Sequence, residues 1–147
     1  MENHTLLTDE EALRYDRHLK VPQIGLPGQL LMKNASTLIV GTGGLGSASA
    51  FYLAAAGIGR IGIVDSDRVE LSNLQRQILH ATSDIGEPKV ESAKMKLLNL
   101  NPNIAIETFH IKICKDNATN ILKDFQIIID ATDNFETRYV VNDARVE

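Results

Sequence analysis

The feature that most restricts this chain is Gly41-Thr42-Gly43-Gly44-Leu45-Gly46, a G-x-G-x-x-G turn between a short apolar run, Thr37 to Val40, and a small-residue stretch, Ser47 to Ala56. Strand, glycine turn and helix open a βαβ unit. The glycines allow a tight turn and close backbone approach, while the first helical N–H groups and the helix dipole favour an anion. A second apolar run, Ile61 to Val64, closes the unit and ends at Asp65. An acid there can accept hydrogen bonds from ribose hydroxyls, or it can simply cap the strand-to-loop turn. By themselves these features say nucleotide, and they fit a NAD-linked oxidoreductase.

The alternation continues downstream. Pro88 suits the first turn of a helix running through Met95, Leu97 and Leu98 to about Asn101. A third strand is expected over Ile104 to Ile113, a weak helix around Ala118 to Lys123, a fourth strand at Ile127 to Ile129, and a final helix from Asn134 or Phe135. The strand runs are rich in Ile and Val instead of alternating, as in a sheet covered on both faces. We therefore expect a Rossmann-like, doubly wound α/β fold with a mainly parallel sheet of order 3-2-1-4.

Ahead of the sheet, Thr8 and Glu11 have capping-box spacing for a helix from Asp9 to about Leu19, which places Arg14 and Arg17 on neighbouring positions of one face. Pro22, Gly25, Pro27 and Gly28 then break the pattern before a short helix around Gln29 to Lys33. The expected division is a helical arm, residues 1–35, and a nucleotide-binding domain, residues 36–147. The last helix meets the chain end without a visible cap, so the domain reads as truncated within a longer protein.

Composition narrows the partners. A net charge of −4 gives no general basic face for nucleic acid. The longest nearly apolar stretch, Phe51 to Ile58, is far short of the roughly 20 residues of a membrane span. Met1, Glu2, Asn3 and His4 lead into acidic residues, unlike a secretion signal, and a cytoplasmic location is expected. One Cys excludes an intrachain disulfide or a cysteine-based zinc site within these residues. Cys114 reads as a core or edge residue ending the third strand, with no catalytic role. His4, His18, His80 and His110 lack metal-ligand spacing and read as surface or packing residues.

Three further residues move the reading away from a nicotinamide cofactor. Arg76, in Ser72-Asn73-Leu74-Gln75-Arg76-Gln77, has the planar fork that grips phosphate oxygens. Lys89 stands in the first turn of its helix, where the dipole disfavours a cation; an anion nearby would explain it, and a solvated surface lysine is the plain alternative. Asp133, after the fourth strand, would face the glycine turn across the crevice between strands one and four, where a carboxylate beside polyphosphate suggests Mg²⁺. Its alternative role is to cap the final helix, with Glu136 at the third position. A glycine turn, a ribose acid, two cations and a metal-type carboxylate suit ATP.

These motifs, with Arg14-Tyr15-Asp16-Arg17, Asp65-Ser66-Asp67, Pro88-Lys89 and Thr132-Asp133-Asn134 in this order, resemble the MoeB/ThiF branch of the ubiquitin-activating-enzyme superfamily. The resemblance covers nearly the whole chain after residue 10. It implies an adenylyltransferase in which the C-terminal glycine of a ubiquitin-like sulfur-carrier protein, of the molybdopterin or thiamine biosynthesis type, attacks ATP to give an acyl-adenylate and pyrophosphate. It implies that Gly41, Gly43, Gly44 and Gly46 form the nucleotide loop and that Asp65 binds ribose. It assigns Asn73, Arg76 and Lys89 to the phosphates and Asp133 to Mg²⁺. Arg17 would reach into the partner subunit's ATP site, making a homodimer the expected form. Members of the family extend well beyond this length, and their zinc-binding CxxC pairs lie in the later half that is absent here. A non-catalytic nucleotide-binding or dimerisation fragment is the remaining alternative.

Overall fold

Ser36–Val40 has every side chain buried, and that strand, β1, lies inside the sheet. Its neighbours are β2 (Arg60–Val64) and β4 (Ile127–Asp130), with β3 (Ala105–Phe109) outside β2; all three pairings are parallel and the order is β3-β2-β1-β4. The expected order and fold class are those observed. The protein is described by a computed structural model over residues 5–146; the reading of Met1, Glu2, Asn3 and His4 as unlike a secretion signal lies outside the described residues.

Both faces are covered, which explains the continuous apolar runs. Ile39, Ile61 and Ile63 pack against Ala50 and Ala54 of α4 (Gly44–Ala56) and against Val90, Ala93 and Leu97 of α5 (Lys89–Leu100). Leu38, Val40 and Val64 point the other way, onto Ala118 and Leu122 of α6 (Lys115–Leu122) and Val140 and Val141 of α7 (Phe135–Val146). Among the described residues no helix is long and apolar enough to cross a membrane.

The arm comprises α1 (Asp9–Arg14), α2 (Asp16–Leu19) and α3 (Gly25–Asn34). The Thr8–Glu11 capping box is present, with Thr8 Oγ1 accepting from Glu11 N–H and Glu11 Oε2 accepting from Thr8 N–H. The expected single helix to Leu19 is broken at Tyr15. That side chain is buried, and its hydroxyl accepts from Asn101 Nδ2 at 2.9 Å. The break separates two arginines expected on one face. Arg14 donates to the Leu100 carbonyl, while the Arg17 side chain is 91% exposed.

The third strand ends at Phe109, four residues earlier than expected at Ile113. Chain pairing stops there, and Ile111, Lys112 and Ile113 turn toward the end of the sheet. Cys114 consequently does not end a strand: it is exposed and precedes α6, with its N–H bonded to Asn117 Oδ1 at 2.9 Å.

Register fixes where chemistry can occur. Val40 is level with both Val64 and Asp130, so the chain leaves three adjacent strands at the same height, at Gly41, Asp65 and Ala131. In an open α/β sheet the crevice at these carboxyl ends, where the strand order reverses, is the place for a ligand.

Candidate functional site

The four glycines of the turn divide into two pairs. Gly41 has φ +92° and lies against the Ala131 carbonyl, and a Cβ on Gly46 would run into the Gly41 carbonyl oxygen. These two are required by the protein's own backbone. A Cβ on Gly43 would meet nothing within 4 Å, and one on Gly44 would make only ordinary contact with the Arg76 side chain, 3.7 Å from Cγ. The space beside Gly43 and Gly44 is therefore open, directly over the first turn of α4, whose N–H groups have no partner within the helix. A cavity of about 670 Å³ occupies it, lined by Gly41, Gly43, Gly44, Asp65, Arg76, Lys89 and Asp133.

On the β2 side the polar groups are tied together. Asp65 Oδ2 accepts from Thr42 N–H at 2.8 Å and Thr42 Oγ1 at 2.6 Å, and Oδ1 accepts from Asp67 N–H at 2.8 Å. The carboxylate thus caps the turn and lines the cavity at once; the two readings of Asp65 are not exclusive. Lys89 is buried, so it is not a solvated surface lysine. Its ammonium donates to Asp67 Oδ2 at 2.9 Å, the anion that its place at a helix start called for.

Two charges of the lining are exposed, Asp133 after β4 and Arg76 beside Gly44. The helix cap is Asn134, whose Oδ1 accepts from Thr137 N–H at 2.9 Å, so the alternative in which Asp133 caps α7 does not hold. Among the described residues Asp133 has no hydrogen-bond or ion-pair partner, and Arg76 is in no ion pair, reaching only the Ser72 carbonyl at 3.4 Å. Arg138 donates to the Thr132 carbonyl at 2.8 Å and its guanidinium lies 5.7 Å from the Phe135 ring centroid, holding the segment that carries Asp133.

Three expected site residues lie outside this lining. Gly46 is beneath the turn. Asn73 uses Oδ1 to accept from Glu70 N–H at 3.0 Å, within a local 3-10 turn. Arg17 extends into solvent from α2 and is not part of the cavity of its own chain. Conversely, the structure adds Ile111, Ile113, Gln77 and Arg138 to the lining. Arg138 stands one helical turn after the cap Asn134, a spacing readable in the sequence; Ile111 and Ile113 carried no such signal, because they looked like strand.

The histidines also separate. His18 Nδ1 pairs with Gln29 Oε1 at 2.8 Å and His110 Nε2 with the Ser66 carbonyl at 3.0 Å, while His80 is buried with Nδ1 2.9 Å from Ser92 Oγ. Burial first, and the Lys89 charge second, hold the His80 imidazole below the ordinary histidine range. Among the described residues no three His, Cys, Asp or Glu side chains cluster as a metal site.

Comparison with known proteins places the chain. The ThiF family profile matches residues 15–147. The chain is 49% identical over 139 residues to the sulfur carrier protein adenylyltransferase of Thermus thermophilus, covering 95% of this chain and 51% of that protein. It is 47% identical over 146 residues to the probable adenylyltransferase/sulfurtransferase MoeZ of Mycobacterium tuberculosis, covering 99% of this chain and 37% of the other. It therefore spans between about a third and a half of the length of these relatives. Among solved structures it is similar to the E. coli tRNA N6-threonylcarbamoyladenosine dehydratase TcdA in complex with ATP, with a TM-score of 0.88, 26% identity, and coverage of 93% of this chain and 56% of that one. With this match over nearly its whole length, added to the glycine turn and the crevice it lines, the chain belongs to the ThiF family.

Proposed function

We propose that this chain provides the nucleotide site of an enzyme that uses ATP to adenylate the C-terminal glycine of a ubiquitin-like sulfur-carrier protein. One observation carries the reading: a glycine turn, Asp65, two cations and a carboxylate with no partner among the described residues converge on one cavity at the switch point of the sheet. The names of the Thermus relative and of the ATP-bound TcdA structure support it.

In this reading the triphosphate lies over Gly43, Gly44 and the N-terminus of α4, and Asp65 accepts from the ribose hydroxyls. Ile111 and Ile113 offer the base an apolar wall. Lys89 and Arg76 carry the charge of the phosphates, and Asn73 joins them if its turn opens. The carrier's carboxylate oxygen attacks the α-phosphorus, the bond from that phosphorus to the bridging oxygen breaks, and pyrophosphate leaves with the electron pair. The cations stabilise charge that grows in the transition state, and no protein nucleophile is needed.

The donor set suits a divalent ion: Asp133 is exposed on the cavity and free of capping duty, and one carboxylate with phosphate oxygens and water is a usual magnesium set. Bound there, Mg²⁺ would supply charge against the departing pyrophosphate. Residues 36–147 form the nucleotide-binding domain, and the arm, residues 1–35, carries Arg17 toward the ATP site of a partner subunit in a homodimer.

The decisive test is ATP–pyrophosphate exchange by this protein, with and without a sulfur carrier ending in glycine. Exchange that requires the carrier supports adenylation, and its absence despite ATP binding favours a non-catalytic nucleotide module. Tight NAD binding without ATP competition would favour the oxidoreductase reading, which gives Arg76, Lys89 and Asp133 no task.

A further inference from the structure

Two amide side chains are completely buried, and both ends of each are bonded. Gln29 pairs through Oε1 with His18 Nδ1 at 2.8 Å and donates from Nε2 to the Ala56 carbonyl at 2.9 Å. Asn101 donates from Nδ2 to the Tyr15 hydroxyl at 2.9 Å and the Ala54 carbonyl at 2.7 Å, and its Oδ1 accepts from Asn103 N–H at 3.2 Å. Gln77 departs from this pattern. It is only 3% exposed, its Oε1 is buried without a partner, and its side chain bonds to no described residue. Its backbone is fully engaged, with the N–H donating to the Asn73 carbonyl and the carbonyl accepting from His80 N–H.

A buried polar group without a partner is costly, so each one needs a reason. Among the described residues two other buried side-chain atoms stand alone, Thr37 Oγ1 and His80 Nε2, and neither residue lines the cavity. Thr37 lies in β1, inside the sheet. His80 is held through Nδ1 by Ser92, whose hydroxyl donates to Asp84 at 2.9 Å in a buried network that Lys96 joins at 3.2 Å; Asp84 closes the 3-10 turn Thr82–Asp84. Gln77 is the one of the three on the cavity wall, in the company of Gly44, Arg76 and Lys89. Protein encloses the rest of the side chain, so a partner can reach it only from the cavity.

The surroundings select the part of a ligand that Gln77 meets. The carbonyl of Arg76, the residue before it, lies 3.7 Å from where a Cβ on Gly44 would stand, at the first residue of α4. This is the helix end that favours an anion, and Arg76 and Lys89 bring positive charge to the same wall. The amide adds no charge. It carries two donors on Nε2, and its last torsion is soft, so the NH₂ group can turn to an anionic oxygen while the carbonyl takes water.

We propose that Gln77 is a further binding residue of the phosphate site: its NH₂ group donates to a phosphate oxygen of the bound nucleotide and adds direction to the charge of Arg76 and Lys89. This deepens the nucleotide reading above and rests on it. A side chain kept for a ligand and not for the fold predicts opposite effects on binding and on stability.

Gln77→Met, similar in volume and without a hydrogen-bonding amide, separates the two. The urea midpoint of the ligand-free chain stays level or rises, while calorimetric affinity for ATP falls by about tenfold or more, the size of one hydrogen bond to a charged group. Tripolyphosphate loses the same factor and adenosine loses none. Gln77→Glu, which keeps the shape and replaces the donors with a carboxylate, loses more affinity than Gln77→Met. The Gln77 side-chain NH₂ signal, assigned in ¹H–¹⁵N spectra by its loss in both variants, shifts with ATP and with tripolyphosphate but not with adenosine. A lowered urea midpoint with unchanged ATP affinity would give the amide to the fold and overturn the inference. Loss confined to adenosine would overturn the phosphate assignment. Failure of the folded wild type to bind either ATP or tripolyphosphate would instead overturn the nucleotide reading itself.

Discussion

On the β2 side of the cavity Asp65, Asp67 and Lys89 hold one another and the glycine turn through hydrogen bonds of 2.6–2.9 Å; Asp133, after β4, and the Arg76 guanidinium, beside Gly44, are exposed and, among the described residues, in no ion pair. The contrast follows from the cost of each environment. A buried ammonium such as Lys89 must have a partner inside the protein, because an unpaired buried charge costs several kcal/mol, on the order of 3–5 when one partner of a buried pair is removed. Charges left in water need none and stay available to a ligand. One wall is preorganised, and the other is completed by what binds.

The largest effect should come from breaking the preorganised side at its backbone. Gly46→Ala forces a methyl into the Gly41 carbonyl and should cost about 3 kcal/mol or more, at the upper end of overpacking penalties. Gly43→Ala meets no atoms, so it should leave the urea midpoint in place while weakening ATP binding measured by calorimetry. Equal destabilisation by the two would erase the division between fold glycines and site glycines.

Acid unfolding sharpens the comparison next. Asp84 has its folded-state pKa lowered, so its stabilisation is present above the unfolded value of about 3.8 and is lost as pH falls through the folded value below it. Asp84→Asn should destabilise the protein by about 1–3 kcal/mol at neutral pH, as expected when a buried network loses a partner, and should flatten the acid limb of a stability-against-pH curve. An unchanged acid limb would remove Asp84 from the folded network.

At the β4 wall two adjacent residues should separate structure from chemistry. Asn134→Ala removes the cap of α7 and should cost about 1 kcal/mol in thermal or urea unfolding. Asp133→Ala should leave stability unchanged and abolish carrier-dependent pyrophosphate exchange. Undiminished exchange would deny Asp133 its metal role.

The smallest effect on stability belongs to Arg17→Ala, since its side chain stands in solvent and its nearest carboxylate, Asp16, is 4.0 Å away. The melting temperature should not move, whereas exchange should fall if the arm serves a partner's site. Mixed dimers of Arg17→Ala with Asp133→Ala would then recover part of the exchange, because one site receives both groups.

Much of the fold was legible because its causes are local. The Thr8–Glu11 box, the G-x-G-x-x-G turn and the Ile/Val runs each act within a few residues, and each element they announced is present. The errors lie where a distant contact overrode local pattern. Tyr15 ended α1 to reach Asn101, and Ile111 and Ile113 left the strand pattern to line the cavity. Asp133 was the cap that the sequence offered for the last helix, and backbone geometry gave that role to Asn134.

The sequence by itself determined the parallel α/β sheet, its order and the end at which the cavity opens, since glycine spacing and apolar runs limit the backbone conformations available to each segment. Only the tertiary structure decided the state of the polar groups. Lys89 became a buried cation paired with Asp67, and His80 a buried imidazole bonded to Ser92, because burial and hydrogen-bond partners are set by packing among residues brought together from separate turns, strands and helices.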